Sequence, residues 1–195
     1  VREPRRIAIG LGETESLVWI GAGLLSCVER YLVSPSGRFL LVTCAGARQP
    51  AQRIREALSG RILADIEIDD REEQKTLAAV SRIADAALAA GARRDDAVVA
   101  VGGGVVCDVA GFAAAILLRG IVWNAVPTTT GAMADAAIGG KTGVDHAAGK
   151  NLLGAFHPPR AVVIDPEAAA TLPDRDFRAG LVEAFKAAWI ADGGL

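Results

Sequence analysis

The sequence predicts an α/β fold, a parallel sheet flanked by helices, and three observations predict it. Short apolar runs alternate with longer segments of helical periodicity, the pattern of strand–helix–strand units. One run, Ala97-Val98-Val99-Ala100-Val101, has no polar break. Such a run suits a strand covered on both faces, as in a parallel sheet. Hydrophobic residues make up 51% of the 195 residues, enough for a sizeable core.

The elements follow in order. Residues 39–43 read as the first strand and 49–58 as a helix. Residues 62–68 could form a second strand. Over 75–90, Leu77, Val80, Ile83, Ala84, Ala87 and Leu88 recur at helical spacing. Gly91 stands where a C-cap would stop that helix. The unbroken run 97–101 is the next strand, 105–118 a helix, 121–126 a strand and 161–164 another. Between them, 127–154 is rich in Thr, Gly and Ala and less regular, and loops of that length are usually functional or disordered. From Phe177 a new helical pattern begins, carrying Leu181, Val182, Phe185, Ala188 and Trp189. Its stop at Leu195 reads as a cut inside a longer protein. No internal repeat or low-complexity tract is visible.

Charge and cysteine usage narrow the function classes. With 21 basic and 23 acidic residues the net charge is -2, which gives no electrostatic footprint for nucleic acid. No apolar run approaches the ~18 residues of a membrane span. The apolar stretch after Arg6 is broken by Glu13 and Glu15, so no secretory signal is seen. Cys27, Cys44 and Cys107 show neither metal-ligand spacing nor a disulfide framework. A soluble protein of the reducing cytoplasm is the expectation.

Several motifs carry possible chemistry. Gly102-Gly103-Gly104 follows the buried strand and precedes a helix. Glycine lets backbone approach a ligand closely, and the helix N-terminus offers unpaired N–H groups to a pyrophosphate. The spacing misses the fingerprint G-x-G-x-x-G because Cys107 holds the third glycine position. The alternative is a tight strand-to-helix turn. Asp108, in the first turn, either favours the helix dipole, the reading the pattern alone prefers, or holds a hydroxyl of a bound sugar or cofactor. Glu72 and Lys75, three apart where helix 75–90 opens, read as a solvated ion pair of ~0.2–0.5 kcal/mol. Arg119-Gly120 closes helix 105–118 as ordinary capping, with a phosphate clamp as the functional alternative.

Pro127-Thr128-Thr129-Thr130 follows a strand directly, and open parallel sheets bind ligands beyond the carboxyl ends of their strands. Asp135, Lys141, Lys150 and Asn151 come next, interleaved with Gly139, Gly140 and Gly149. That is denser than a plain surface loop requires, so the stretch is read as functional. Glu183 and Lys186 read, on pattern alone, as an exposed ion pair opposite Leu181, Phe185 and Trp189. Neither His146 nor His157 has metal-ligand spacing.

Taken in order, these segments resemble the 3-dehydroquinate synthase family of sugar-phosphate cyclases. The carriers are the glycine loop through Phe112, Leu118-Arg119-Gly120, Val126-Pro127-Thr128-Thr129 and Asp135. Gly139-Gly140-Lys141-Thr142-Gly143, Gly149-Lys150-Asn151 and Gly154-Ala155-Phe156 follow, then Thr171-Leu172-Pro173 and Glu183-Ala184-Phe185-Lys186. The match runs from Val101 to Asp192, includes Glu72-x-x-Lys75 and covers about two thirds of the chain. Before Asp65 it is loose.

The resemblance implies a Rossmann-like NAD-binding domain over 1–172. It also implies the start of a helical metal- and substrate-binding domain over 173–195, in a chain inactive by itself. Gly103, Gly104 and Val105 would cradle the NAD pyrophosphate. Glu72 and Lys75 would face the adenosine side, and Thr128 and Thr129 would also touch the cofactor. Asp108 and Asp135 would sit by the nicotinamide half and the substrate. Lys141, Lys150, Asn151 and Lys186 would bind the substrate's hydroxyls, carboxylate or phosphate, with Lys141 and Lys150 also against the cofactor. Arg119 would reach a phosphate across a homodimer interface, and Glu183 would be the one metal-binding carboxylate.

The chemistry so implied converts 3-deoxy-D-arabino-heptulosonate 7-phosphate to 3-dehydroquinate and phosphate. An alcohol is transiently oxidised by NAD, phosphate is eliminated, hydride returns, and an aldol step closes the ring. A divalent cation, zinc or alternatively cobalt, acts as Lewis acid. Two departures stand out. Many family members carry Asn or Asp after the first strand to hold the adenine ribose, where this chain has Cys44-Ala45, and Cys107 stands where glycine is common. Two other readings stay open. One is a sister cyclase making a valiolone, an inosose or an amino-dehydroquinate; the other is a non-catalytic NAD-binding remnant.

Overall fold

A computed structural model describes residues 3–11 and 14–191 of the chain. Asp192, where the resemblance ends, and residues 193–195 lie outside the described residues.

The centre is a seven-stranded sheet. Its strands are β1 (Arg5–Leu11), β2 (Thr14–Ile20), β3 (Phe39–Cys44), β4 (Ile62–Ile68), β5 (Ala97–Gly102), β6 (Val122–Pro127) and, after a separate hairpin, β9 (Ala161–Ile164). They lie in the order β1-β2-β9-β6-β5-β3-β4. All neighbours are parallel except β1 and β2, which pair antiparallel at one edge. Every residue of β3, β5 and β9 is buried, which explains why these strands read as unbroken apolar runs. The β1–β2 hairpin is absent from the sequence reading. Its signal is alternation: Ile7 and Ile9 turn inward while Arg6 and Ala8 face solvent.

Four helices join the strands: α1 (Arg48–Ala57), α2 (Leu77–Ala89), α3 (Gly104–Ile116) and α4 (Asp174–Ala191). Two helix boundaries correct the expectation. Helix α2 starts at Leu77, because the Thr76 side chain accepts from the Ala79 N–H and caps it there. Glu72 therefore sits in a separate short turn, Glu72–Gln74, and Lys75 just after it. Helix α3 ends at Ile116, not 118. Leu118 and Arg119 then adopt left-handed backbone (φ 52 and 68) ahead of Gly120 (φ 110). That is not ordinary capping: such conformations in residues bearing a Cβ cost about 1–3 kcal/mol each.

The stretch 127–154 is also more ordered than expected. It holds a π-helical turn, Ala132–Ala136, and most of an antiparallel hairpin, β7 (Lys141–His146) and β8 (Gly149–Phe156). The hairpin stands off the main sheet and packs on α3, with Thr142 against Gly111. Gly143 and Gly154 face each other across it. A Cβ on Gly154 would run into the Thr142 carbonyl oxygen, so the glycine content there serves close backbone approach.

Buried polar groups fix the corners. Asp96 is fully buried and takes a two-pronged ion pair from Arg38, at 2.9 Å on each oxygen. Asp165, just after β9, accepts from the N–H groups of Gly23, Leu25 and Glu167. Asn124 on β6 binds both the N–H and the carbonyl of Val33. In α4, by contrast, Leu181, Val182, Phe185, Trp189 and Ile190 are all exposed.

Candidate functional site

The carboxyl ends of β5 and β6 lie side by side, with Gly102 opposite Pro127. Beyond them the chain turns sharply into α3. A Cβ on Gly102 would lie 2.5 Å from the Val106 side chain, and one on Gly103 would lie 3.1 Å from Thr129. The turn therefore closes only with glycine at Gly102, and Gly103 brings bare backbone against Thr129. No side chain caps α3 at Gly103, so its first N–H groups have no side-chain acceptor. Thr128 donates its N–H to the Gly102 carbonyl, and Thr129 accepts from Ala132 N–H. A glycine-lined helix N-terminus flanked by threonine hydroxyls fits a dinucleotide pyrophosphate. Cys107 takes no part: it is buried, and burial pushes its thiol far up.

Alongside lies a cleft of about 450 Å³, walled by Asp108, Asp135, Lys141 and Asn151 together with Ile138, Leu152 and Phe156. Each polar side chain arrives from a different element: Asp108 from the first turns of α3, Asp135 from the π-helical turn, Lys141 from β7 and Asn151 from β8. Lys75 reaches in from beneath. Its buried ammonium donates to Asp108 at 2.5 Å and to Asn151 at 2.5 Å. Its carbonyl accepts from Asp145 N–H, and the Asp145 carboxylate accepts from Asn151 N–H, which holds Asn151 in left-handed backbone (φ 55). Burial raises the Asp108 carboxyl, Lys75 pulls it back, and the nearby charges of Glu72 and Asp135 push it up again.

The other expected residues sit at or beyond the rim. Lys150 is exposed and pairs with Glu72 at 2.9 Å, a contact that raises the lysine. Glu72 and Lys75 are thus not partners of each other on a helix. Lys186 pairs with Glu183 on α4; that hydrogen bond raises the lysine, and the charge of Asp135 adds to it. Gly180 makes this proximity possible, since a Cβ there would overlap Thr130 and the Gly131 N–H. The Thr130 hydroxyl then bonds the Phe177 carbonyl at 2.8 Å. Arg119 is not brought to the cleft. It is exposed beyond the far end of α3, about 20 Å along the helix axis from the glycine turn.

Asp145 and Gly180 escaped the sequence reading. Asp145 had no signal beyond a charge in a glycine-rich stretch. Gly180 had one, a helix-weakening glycine inside a helical pattern. As for metals, no group of three His, Cys, Asp or Glu side chains that could hold an ion is found among the described residues. Glu183 is a lone carboxylate there, and the described residues do not by themselves fit a metal centre. No helix among them is long and apolar enough to cross a membrane.

Comparison with known proteins gives these features a context. A family model described as 3-dehydroquinate synthase N-terminal matches residues 65–179. The 3-dehydroquinate synthase of Pelobacter propionicus is 45% identical over 188 residues, covering 92% of this chain and 52% of that protein. A solved 2-deoxy-scyllo-inosose synthase, complexed with carbaglucose-6-phosphate, NAD+ and Co2+, superposes with a TM-score of 0.83 at 31% identity, over 91% of this chain and 50% of that one. A 2-epi-5-epi-valiolone synthase from Streptomyces hygroscopicus with NAD+ and Zn2+ bound gives 0.76 at 31% identity, over 89% and 49%. The chain spans about half the length of the curated relatives it matches.

Proposed function

The chain belongs to the 3-dehydroquinate synthase family, and from that premise we propose that it forms the NAD- and sugar-phosphate-binding half of a cyclase. The proposed reaction converts 3-deoxy-D-arabino-heptulosonate 7-phosphate to 3-dehydroquinate and phosphate. The observation that carries this reading is the convergence of Asp108, Asp135, Lys141 and Asn151 on one cleft beside the uncapped glycine turn.

NAD, when bound, supplies the hydride acceptor for transient oxidation of the substrate alcohol. Gly103, Gly104 and Val105 hold its pyrophosphate through backbone N–H groups, with Thr128 and Thr129 beside them. Asp108, with Lys75 behind it, orients the nicotinamide end, and Glu72 faces the adenosine side. Lys141 lays a positive charge along the cleft where phosphate and developing oxyanion charge must be held. Asp135 accepts from substrate hydroxyls, and the Asn151 amide bonds a further substrate oxygen. Lys150 and Lys186, now paired at the rim with Glu72 and Glu183, exchange those carboxylates for anionic groups of the ligands. Arg119 serves the neighbouring cleft of a homodimer. Glu183 would supply one carboxylate donor to a divalent cation in the full-length protein.

A sister cyclase is the second reading, favoured by the fit to the inosose synthase. One experiment separates the two. The full-length protein that carries this chain is incubated with the heptulosonate phosphate, NAD and zinc, and products are followed by NMR. We expect phosphate release with 3-dehydroquinate. Turnover only of a sugar phosphate that lacks the carboxylate, offered in a parallel incubation, would establish the sister reading, and turnover of neither would end both.

A further inference from the structure

Lys150 and Asn151 lie on an irregular part of the β7–β8 hairpin. The two strands stay in register as far as Val144 opposite Leu153, and they meet again at His146 opposite Gly149. Between those pairs β7 has one residue, Asp145, and β8 has three, Lys150, Asn151 and Leu152. A bulge of this kind bends its strand and re-aims the side chains it carries.

The re-aiming is visible here. In a regular strand successive side chains point to opposite faces. Lys150 and Asn151 instead both meet one short segment, residues 72–75. The Lys150 ammonium donates to Glu72 at 2.9 Å, and the Asn151 amide oxygen accepts from Lys75 at 2.5 Å. The kink that allows this is the left-handed backbone of Asn151, at φ 55. Asparagine visits that region more readily than most residues bearing a Cβ, yet it stays there only where its surroundings fix it.

Asp145 supplies the fixing. Its carboxylate accepts from the Asn151 N–H at 2.8 Å, and its own N–H donates to the Lys75 carbonyl at 2.9 Å. A single residue thus ties the bulge to segment 72–75, and the Lys75 ammonium closes the circuit on Asn151. Asp145 is not one of the side chains that wall the cleft. A negative charge placed near an anionic sugar opposes its binding, so charge alone gives no reason for a carboxylate here.

We propose that Asp145 is a positioning residue: by clasping the bulge it holds Asn151 in left-handed backbone and turns both Lys150 and Asn151 toward the anionic sugar. The proposal rests on the function proposed above and adds a residue that acts without touching the substrate. Its part is that of a hydrogen-bond acceptor.

The test is kcat/KM of the full-length protein for the heptulosonate phosphate, with NAD and zinc. Asp145→Ala should lower it about 10-fold or more, the scale of one hydrogen bond to a charged group. Asp145→Asn keeps an oxygen that can accept from the Asn151 N–H, and it should stay within about 3-fold of the unmodified protein. Glycine takes left-handed backbone freely, so in an Asn151→Gly background Asp145→Ala should cost less than about 2-fold more. A carbon-13 NMR measurement on the 195-residue chain reads the clasp without turnover. The Asn151 Cα and Cβ shifts should report left-handed backbone in the unmodified chain and in Asp145→Asn, and lose that signature in Asp145→Ala. Asp145→Asn as damaged as Asp145→Ala overturns the assignment, because the charge and not the clasp would then matter. The same holds for an equal loss from Asp145→Ala with Asn or Gly at position 151, and for an Asn151 signature that survives Asp145→Ala. Each of these results leaves the proposed function standing. Absence of turnover by the unmodified full-length protein overturns the proposed function and the assignment together.

Discussion

Lys75 shows how much of this site depends on single long-range contacts. Its buried ammonium is shared between Asp108, 33 residues away, and Asn151, 76 residues away. Removing the cation leaves the largely buried Asp108 carboxylate without a counter-charge, which typically costs about 3–5 kcal/mol. Asp108 keeps 20% of its side chain exposed, so the lower end of that range is the expected loss for Lys75→Met. Adding Asp108→Asn removes the stranded charge, and the double variant should recover at least about 1 kcal/mol relative to the single one. Urea denaturation of the three proteins measures this. A double variant no more stable than Lys75→Met would show that the pair does not order this corner. None of this was legible in sequence. Spacing shows neighbours three and four apart, so Glu72 and Lys75 read as partners of each other. Their actual partners are Lys150 and Asn151, from a hairpin placed by tertiary packing, and Asp108 of α3.

Elements divide by the same logic. Strands β3, β5 and β9 were legible because covering a strand on both faces demands unbroken apolar residues, β6 is broken only by Asn124, and edge strand β4 shows alternation, with Asp65 and Glu67 exposed. Hairpin β7–β8 was not, because its glycines serve backbone contact and mimic a loop composition. Helix α4 was visible as a period, but its seat on the π-helical turn depends on one residue. Gly180→Ala would push a methyl group into Thr130 and the Gly131 backbone, neither of which is a flexible chain end. Helix α4 must then lift, at about 1–2 kcal/mol, the lower part of the cost typical of overpacking. Only the helix bears that cost, because the sheet makes no use of the contact. Tryptic cleavage after Arg175 and Arg178 should therefore speed up roughly 5- to 30-fold, the factor that one to two kcal/mol supplies. The urea midpoint of the remaining domain should stay in place. Unchanged cleavage kinetics would mean that the helix absorbs the methyl group without moving.

At the scale of the whole molecule, the described residues supply two of the three things that the proposed chemistry needs. They form the uncapped glycine turn proposed to hold a dinucleotide and the charged cleft proposed to take an anionic sugar. A metal centre is the third, and a catalytic one takes about three protein donors with a further position left open for water or substrate. Several of the candidate donors are otherwise engaged. Glu183 pairs with Lys186. One nitrogen of His146 accepts from Ala148 N–H, and His157 bonds the Ile121 carbonyl. Cys44 and Cys107 are buried thiols pushed up by that burial, hence poor thiolate donors. The 195-residue chain is therefore expected to hold no equivalent of zinc against a chromophoric chelator, and Glu183→Ala should leave the competition curve unchanged. Its binding of NAD should be indifferent to chelators for the same reason, because the glycine turn and the Lys75–Asp108 pair need no ion to form. One tightly held zinc per chain, lost in Glu183→Ala, would reveal donors assembled around α4 that its present exposed geometry does not provide.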